Sequence, residues 1–94
     1  PDNLPDQAEL PPEVAEQALQ SYLDNHYRQT LDEPLQFLDG KIPRRAAKTK
    51  KGRVQVINWL KTLENSEGRR AASQGQKPYD FEWMWRELKI DNLP

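Results

Sequence analysis

The chain has 94 residues, of which 35% are hydrophobic and 31% are charged, and it contains no cysteine. This length is that of a single domain. The lack of cysteine excludes disulfides, thiolate metal sites and a cysteine nucleophile. No apolar stretch approaches the roughly 20 residues of a membrane span, so the sequence predicts a cytoplasmic protein without a membrane partner.

Charge is distributed unevenly along the chain, although the formal net charge is only −1. Residues 1–39 contain nine acids and one cation, whereas residues 40–61 contain eight cations and no acid. Two interpretations stay open. The acidic first helix and the basic middle segment attract each other, or the basic segment is a surface for an acidic partner or a nucleic acid.

Hydrophobic periodicity predicts the secondary structure. Apolar residues recur at spacings of three and four, which is the period of a helix. The predicted fold is all-α, a small bundle of three main helices plus one or two short helices that bury a common apolar face. The predicted helices span residues 12–31, 43–48, 50–65 and 80–89.

Particular residues mark the starts and turns of these elements. Thr49 is a suitable N-cap for the helix over 50–65. The β-branched residues Val54, Val56 and Ile57 make a strand the competing interpretation, but their three-to-four spacing favours a helix. Gly40 is predicted to supply a turn with a positive φ angle.

Three polar segments lie outside the predicted helices. Residues 1–11 and 91–94 are predicted to be tails, the first of them disordered, on a single domain that spans 12–90. The segment at about 66–77 is polar and contains Gly68 and Gly75. It is predicted to be a mobile linker before the last helix. Extension of the preceding helix through residues 69–72 is the alternative that stays open.

The predicted core collects the apolar residues that share one face of each helix. The first helix supplies the largest group. In the last helix Phe81, Met84, Trp85 and Leu88 form a one-face stripe at i, i+3, i+4 and i+7. The expected core residues are Val14, Ala18, Leu19, Tyr22, Leu23, Leu31, Leu38, Val56, Ile57, Leu60, Phe81, Trp85 and Leu88.

The sequence predicts no catalytic residue, no metal site and no cofactor. His26 is the only histidine, and no nucleophile with a matching orienting group accompanies it. We therefore expect a hydrogen-bonded histidine at the edge of the core. The acids lack the pairing of a glycosidase site and the loop spacing of a calcium site. The chain is predicted to bind a partner rather than to catalyse a reaction.

Aromatic and basic residues supply the candidate contacts with a protein partner. On an ideal helix Trp83 lies about 200° away from Trp85, and an exposed tryptophan is a typical interface anchor. The alternative is that Trp83 covers the linker or packs on the first helix. The predicted partner-binding residues are Trp83, Trp59, Lys41, Arg44, Arg45 and Lys48.

Nucleic-acid binding by the basic segment is the alternative function. Residues 41–53 contain seven cations, which could neutralise phosphates. Two features argue against this function. The sequence pI is about 5.8, whereas nucleic-acid-binding domains are often basic overall. No tyrosine or tryptophan is interleaved with these cations to stack on bases.

The middle of the chain resembles a known bacterial domain. Residues 31–47 (LDEPLQFLDGKIPRRAA) combine an apolar segment, a glycine turn and a short helix, and residues 49–60 (TKKGRVQVINWL) open a helix with glycine and arginine. Over about residues 31–64 this pattern resembles the toxin-binding C-terminal domain of the Xre/MbcA/ParS antitoxins. That resemblance implies a helical surface that grips a partner protein.

A second resemblance covers about residues 20–90. With residues 75–80 (GQKPYD) added, the pattern is similar to an uncharacterised bacterial C-terminal domain found beside SecC-type zinc motifs. Both resemblances imply a helical module of a larger bacterial-type protein. No metal role is carried over, because this chain has no zinc ligands of its own, and no helix-turn-helix is recognisable upstream.

Overall fold

The structure, a computed structural model, describes residues 11–90. Over this range the chain is helical and forms no strand beyond one isolated bridge. A 3-10 turn, Gln36–Leu38, lies between the first two helices. The all-α fold is confirmed, but only two of its helices are long. In chain order the helices are α1 Pro12–Thr30, α2 Pro43–Ala46, α3 Lys50–Ser73 and α4 Glu82–Glu87.

The bounds of α1 follow from its terminal residues. Pro12 occupies the first turn, where a missing N–H costs nothing. Glu13 in the first turn and Arg28 in the last turn complement the helix dipole. The helix ends at Thr30, before Pro34 disfavours helical angles at the preceding residue.

The segment after α1 folds back on itself in a tight turn. The N–H of Leu35 donates to the Lys41 carbonyl at 3.1 Å, and the N–H of Gly40 donates to the Leu35 carbonyl at 2.8 Å. Asp39 and Gly40 have φ angles of 58° and 82°. The predicted positive φ at Gly40 is confirmed, and the turn buries Leu38 completely.

A close approach joins α2 to the first turn of α3. The Thr49 hydroxyl accepts a hydrogen bond from the N–H of Gly52 at 2.9 Å, so the predicted N-cap is confirmed. A Cβ atom at Gly52 would lie 2.1 Å from the Ala46 carbonyl oxygen. Glycine is therefore required where the end of α2 rests on α3.

The third helix is longer than the predicted 50–65. It continues to Ser73, so the linker prediction is wrong for the part that belongs to α3, and the alternative of a helix through residues 69–72 is confirmed. Gly75 has a φ angle of 64°, and the N–H of Gln76 donates to the Ala71 carbonyl at 2.8 Å. This is the Schellman arrangement that ends a helix with a left-handed glycine. Gly75 therefore ends α3 rather than marking a linker.

The core lies where α3 meets the segment after α1 and the C-terminal segment. Of the predicted core residues, six are buried: Leu31, Leu38, Val56, Leu60, Phe81 and Leu88. Seven hydrophobic residues outside that predicted set are also buried: Ala46, Ala47, Trp59, Ala71, Tyr79, Met84 and Ile90.

The core prediction is wrong for the first half of α1. Val14, Leu19 and Tyr22 keep 47%, 44% and 64% of their surface exposed, and Ala18 is also exposed. Nothing in residues 11–90 packs against this face, and the described chain is elongated, with extents of 48 × 26 × 19 Å. Three other predicted core residues are half-buried at the margin of the core: Leu23, Ile57 and Trp85.

Some sequence-based expectations concern residues that the structure does not describe. The predicted tails fall on 1–10 and 91–94, outside the described residues, apart from Pro11, which is exposed. Within 11–90, no helix is long and apolar enough to cross a membrane.

Truncation of one buried leucine and one exposed leucine tests which of the predicted core residues belong to the core. Leu60 is fully buried, so Leu60→Ala is expected to lower the free energy of unfolding by about 2–5 kcal/mol. Leu19→Ala, measured in dilute solution, is expected to change it by less than about 0.5 kcal/mol. Urea denaturation followed by circular dichroism measures both. A large loss with Leu19→Ala would show that α1 is covered in the folded chain.

The two glycines inside α3 respond oppositely to alanine. Gly52→Ala forces a Cβ against the Ala46 carbonyl, so we expect a lower melting temperature. A Cβ at Gly68 meets nothing within 4 Å, and Gly68→Ala is expected to stabilise the helix by up to about 1 kcal/mol. Thermal denaturation of both variants decides this, and equal effects would contradict the close approach at Gly52.

Candidate interaction surface

The C-terminal segment is fixed by Tyr79, whose polar atoms contact three helices. Its N–H donates to the Glu67 carboxylate of α3 at 2.8 Å. Its hydroxyl donates to the Asp24 carboxylate of α1 and accepts from Trp83 Nε1 of α4 at 2.9 Å. The ring is buried with its centroid 5.7 Å from that of Tyr27. This junction holds the second half of α1 against the core.

These contacts shift the pKa values of the groups that make them. Burial, and after it the hydrogen bond to Asp24, raises the pKa of Tyr79 from 10.0 to about 12. The hydrogen bonds from Arg70 hold the pKa of Glu67 below its usual 4.5, with a smaller contribution from the Tyr79 N–H. The fold therefore favours a neutral Tyr79 and an ionised Glu67.

The two predicted tryptophan contacts have different environments. Trp59 is 6% exposed and belongs to the core, so it offers a partner almost no surface and its predicted partner role is wrong. Trp83 is half-buried. The Arg28 guanidinium lies 4.9 Å from the centre of its ring, so Trp83 packs on α1, the alternative that the sequence left open. A partner contact by the exposed part of Trp83 stays a prediction.

Two of the four predicted basic contacts are engaged within the chain. Lys41 Nζ donates to Gln55 Oε1 at 3.3 Å. Arg44 bonds to Asp32 at 2.8 Å and to Glu87 at 2.9 Å, and these hydrogen bonds raise the pKa of its guanidinium further. Arg44 therefore joins the segment after α1 to the end of α4.

Most of the basic segment has no acidic partner among residues 11–90. Within this range, Arg44 with Asp32 is the one salt bridge that joins the acidic first third to residues 40–61. Attraction to the described part of the first third thus accounts for a single cation. Other cations of this segment are exposed and form no salt bridge with the residues described: Arg45, Lys48, Lys50 and Lys51.

A pocket of about 450 Å³ opens beside these cations, where the end of α2 and the first turn of α3 meet the residues after α4. Four cations and one acid surround it, and the acid, Glu87, is already bonded to Arg44. Arg53 Nε is buried and has no hydrogen-bond partner among the described residues. We call this the basic pocket; it is lined by Arg44, Ala47, Lys48, Arg53, Glu87, Leu88 and Lys89.

Lys89 reaches the basic pocket from a strained position. Its φ angle is 59°, and the N–H of Ile90 donates to the Trp85 carbonyl at 3.1 Å. This Schellman ending usually carries glycine, because a left-handed residue with a Cβ is disfavoured. Sequence reasoning missed Lys89 because it placed this residue inside a helix over 80–89.

The single histidine lies on the exposed side of α1. His26 is exposed, and its ring stacks on Tyr22 with 6.2 Å between centroids, so the expectation of a core-edge position is wrong. Among residues 11–90, no group of three or more histidine, cysteine or acidic side chains is placed to hold a metal ion. The chemistry that this surface offers is the binding of an anion beside apolar atoms.

Comparisons with protein-family models, with curated proteins and with solved structures give no match to this chain. The resemblances of residues 31–64 and 20–90 to bacterial domains therefore stay predictions. The functional argument depends on the geometry and charge of the surface described above.

Removing one hydroxyl tests the Tyr79 junction. Tyr79→Phe leaves Asp24 and Trp83 without a shared partner, so we expect a loss of about 1–3 kcal/mol at neutral pH. The pKa of Tyr79 is raised in the folded state. Its contribution is therefore complete below pH 10 and is lost as the pH rises towards 12.

The pH dependence separates this contribution from that of other tyrosines. Denaturation midpoints of both proteins between neutral pH and pH 12 give the comparison. We expect a smaller alkaline loss in Tyr79→Phe than in the natural chain. Equal losses would show that Tyr79 does not titrate with unfolding.

Proposed function

We propose that the chain is a non-catalytic protein-interaction module that binds an acidic segment of a partner protein at the basic pocket. One observation carries the proposal: Lys48, Arg53 and Lys89 converge on a pocket whose single acid is already paired. An unsatisfied buried donor such as Arg53 Nε is costly. A carboxylate in the pocket would give these cations a partner.

The charge of the chain favours a protein segment over a nucleic acid as the ligand of the pocket. Ala47 and Leu88 line the pocket but are only 8% and 5% exposed, so the cations provide most of the recognition. Residues 1–39 carry nine acids and one cation. Their field repels a long polyanion such as DNA more than a partner protein with a local acidic patch.

The left-handed backbone conformation of Lys89 also supports a binding role for this residue. Glycine would relieve the strain at this helix end but would remove a cation from the pocket. We infer that a lysine occupies this strained position because its charge contributes to binding. Strained residues concentrate at functional sites.

The proposal includes the class of protein that the sequence resembles. A module of a larger bacterial-type cytoplasmic protein that grips a toxin, in the manner of the Xre/MbcA/ParS antitoxins, is one form of it. The resemblance over 31–64 is the support for that form. The pocket supports the broader form, in which an acidic partner of any origin is bound.

Nucleic-acid binding is the second candidate. It is favoured by Lys48, Lys50 and Lys51, which are exposed and form no salt bridge with residues 11–90. It makes a distinct prediction. Binding through phosphates weakens steeply as salt rises, because condensed counterions are released. A short peptide with one or two carboxylates neutralises fewer cations than duplex DNA, so its binding is expected to be less sensitive to salt.

Titration with two probes distinguishes these functions. The protein, labelled with ¹⁵N, is titrated with a glutamate- and leucine-containing peptide and, separately, with duplex DNA. We expect the peptide to shift the resonances of Lys48, Arg53 and Lys89. Lys48→Glu/Lys89→Glu is expected to weaken peptide binding by about tenfold or more, because it reverses two charges in the pocket.

Two further variants control this measurement. Lys77→Glu changes the same type of charge at an exposed residue outside the pocket and is expected to bind as the natural chain does. Lys89→Gly is expected to weaken binding while stabilising the fold by up to about 1 kcal/mol. DNA binding without peptide binding would replace the proposal with the second candidate, and no binding of either probe at low salt would overturn both.

A further inference from the structure

The basic pocket holds more positive charge than a single carboxylate balances. Four cations and one acid line it, so its lining carries a formal charge of +3. Arg44 is also bonded to Asp32, which does not line the pocket. Including that carboxylate leaves a formal charge of +2. The pocket therefore suits a ligand group that carries two negative charges at one centre.

The unengaged cations of the basic pocket come from three separate parts of the chain. Lys48 lies between α2 and α3, Arg53 lies in α3, and Lys89 follows α4. A carboxylate presents two oxygens in one plane. A phosphate monoester presents three strong acceptor oxygens in a tetrahedral arrangement, so it can accept hydrogen bonds from several directions at once. That arrangement suits cations that are held by three segments.

Arg53 is the cation best suited to a phosphate. Its side chain forms no salt bridge with residues 11–90, and its buried Nε has no hydrogen-bond partner there. The residue is half-buried, and its charge acts more strongly on a ligand where water is partly excluded. A guanidinium also presents a planar fork of N–H donors that fits two phosphate oxygens, which an ammonium does not.

We propose that the basic pocket recognises a phosphorylated side chain of the partner protein, whose phosphate oxygens accept hydrogen bonds from Lys48, Arg53 and Lys89. The inference rests on the proposed function, because it names the acidic group through which the partner is bound. Phosphorylation adds a charge of about −1.5 to −2 at neutral pH, whereas the unmodified hydroxyl has none. Binding would thus depend on the modification of the partner.

The lining of the pocket favours a phosphate carried by a protein over that of a nucleotide. None of the residues that line the pocket within 11–90 is aromatic, so a base has no side chain to stack on. Ala47 and Leu88 are nearly buried and offer a base or a lipid chain little apolar surface. The volume of about 450 Å³ leaves room for a phosphate and for part of the side chain that carries it.

Peptides that differ at one position test the phosphate. Short glycine–alanine peptides with blocked ends carry serine, phosphoserine, one glutamate or two adjacent glutamates at the centre, and each is titrated into the ¹⁵N-labelled chain. We expect the phosphoserine peptide to bind about tenfold more tightly than either glutamate peptide, because its two charges and three acceptor oxygens lie on one group. The serine peptide should not bind. The resonances of Lys48, Arg53 and Lys89 should shift.

A substitution that keeps the charge of Arg53 tests the contribution of its guanidinium. Arg53→Lys retains the positive charge but loses the planar fork of donors, so we expect the phosphoserine peptide to bind about fivefold more weakly. Arg69→Lys is the matched control, because it makes the same change at an exposed residue of α3 outside the pocket. It should bind as the natural chain does. Circular dichroism confirms that both variants are folded.

The pH dependence of binding identifies the charge of the ligand. Lowering the pH from about 7.5 to about 5.5 converts most of the phosphate to its monoanion, because its second pKa is about 6, so the phosphoserine peptide should bind about fourfold more weakly. The peptide with two glutamates, measured over the same range, corrects for titration of the protein. The charged groups around the pocket are Asp32, Arg44, Lys48, Arg53, Glu87 and Lys89, and the single histidine lies on α1.

The outcomes separate this inference from the proposed function. Equal affinities for the phosphoserine peptide and the peptide with two glutamates would overturn the inference and leave the proposed function intact. Phosphoserine binding that Lys48→Glu/Lys89→Glu does not weaken would place the phosphate elsewhere and would also overturn it. Binding of inorganic phosphate at the pocket without binding of any peptide would overturn the proposed function and assign the site to a free phosphate compound. No binding of any probe would overturn both.

Discussion

Tyr79 is buried where α1, α3 and α4 meet, and a different hydrogen-bonding partner on each helix contacts it. The positions of α1 and α4 on the core depend on this junction. It holds the second half of α1 against the core through Asp24, and it leaves the first half of the same helix to project. It also sets the position of α4, and with it the residues that close the basic pocket. A single tyrosine thus positions both the exposed first half of α1 and the basic pocket.

Hydrophobic burial and charge have separate roles in this fold. Leu31, Leu38, Leu60 and Met84 are completely buried, and burial of this kind contributes most of the stability. The salt bridges of Arg44 are partly exposed, and such pairs contribute little energy. Their effect is geometric, because Arg44 joins Asp32 of the segment after α1 to Glu87 of α4 and neutralises the one acid of the pocket.

Local signals in the sequence predicted the parts of the fold that depend on neighbouring residues. The Thr49 cap and the turn at Gly40 are properties of a few adjacent residues, and both are confirmed. The sequence also contained a signal for the end of α3, because Gly75 occupies the left-handed position of a Schellman motif. It was missed because the polar residues before it resemble a linker. The same ending at Lys89 carries no glycine and gives no such signal.

The candidate surface was harder to predict than the elements. The basic residues were identified from composition. The sequence did not indicate that Arg44 forms salt bridges with two acids while Lys48 forms none with the described residues. Arg53 lines the pocket from α3, and Lys89 lines it from the residues after α4. Their proximity depends on how the chain folds back after Gly75.

By itself the sequence determined that the chain is helical, where most helices begin, and that its charge is divided between an acidic first third and a basic middle. These properties follow from the helical period and from short-range capping. Only the tertiary structure decided which apolar faces are covered. An amphipathic helix such as α1 has the same pattern whether or not a neighbour packs on it. Burial depends on long-range contacts, and in this chain those contacts cover Trp59 and leave Leu19 exposed.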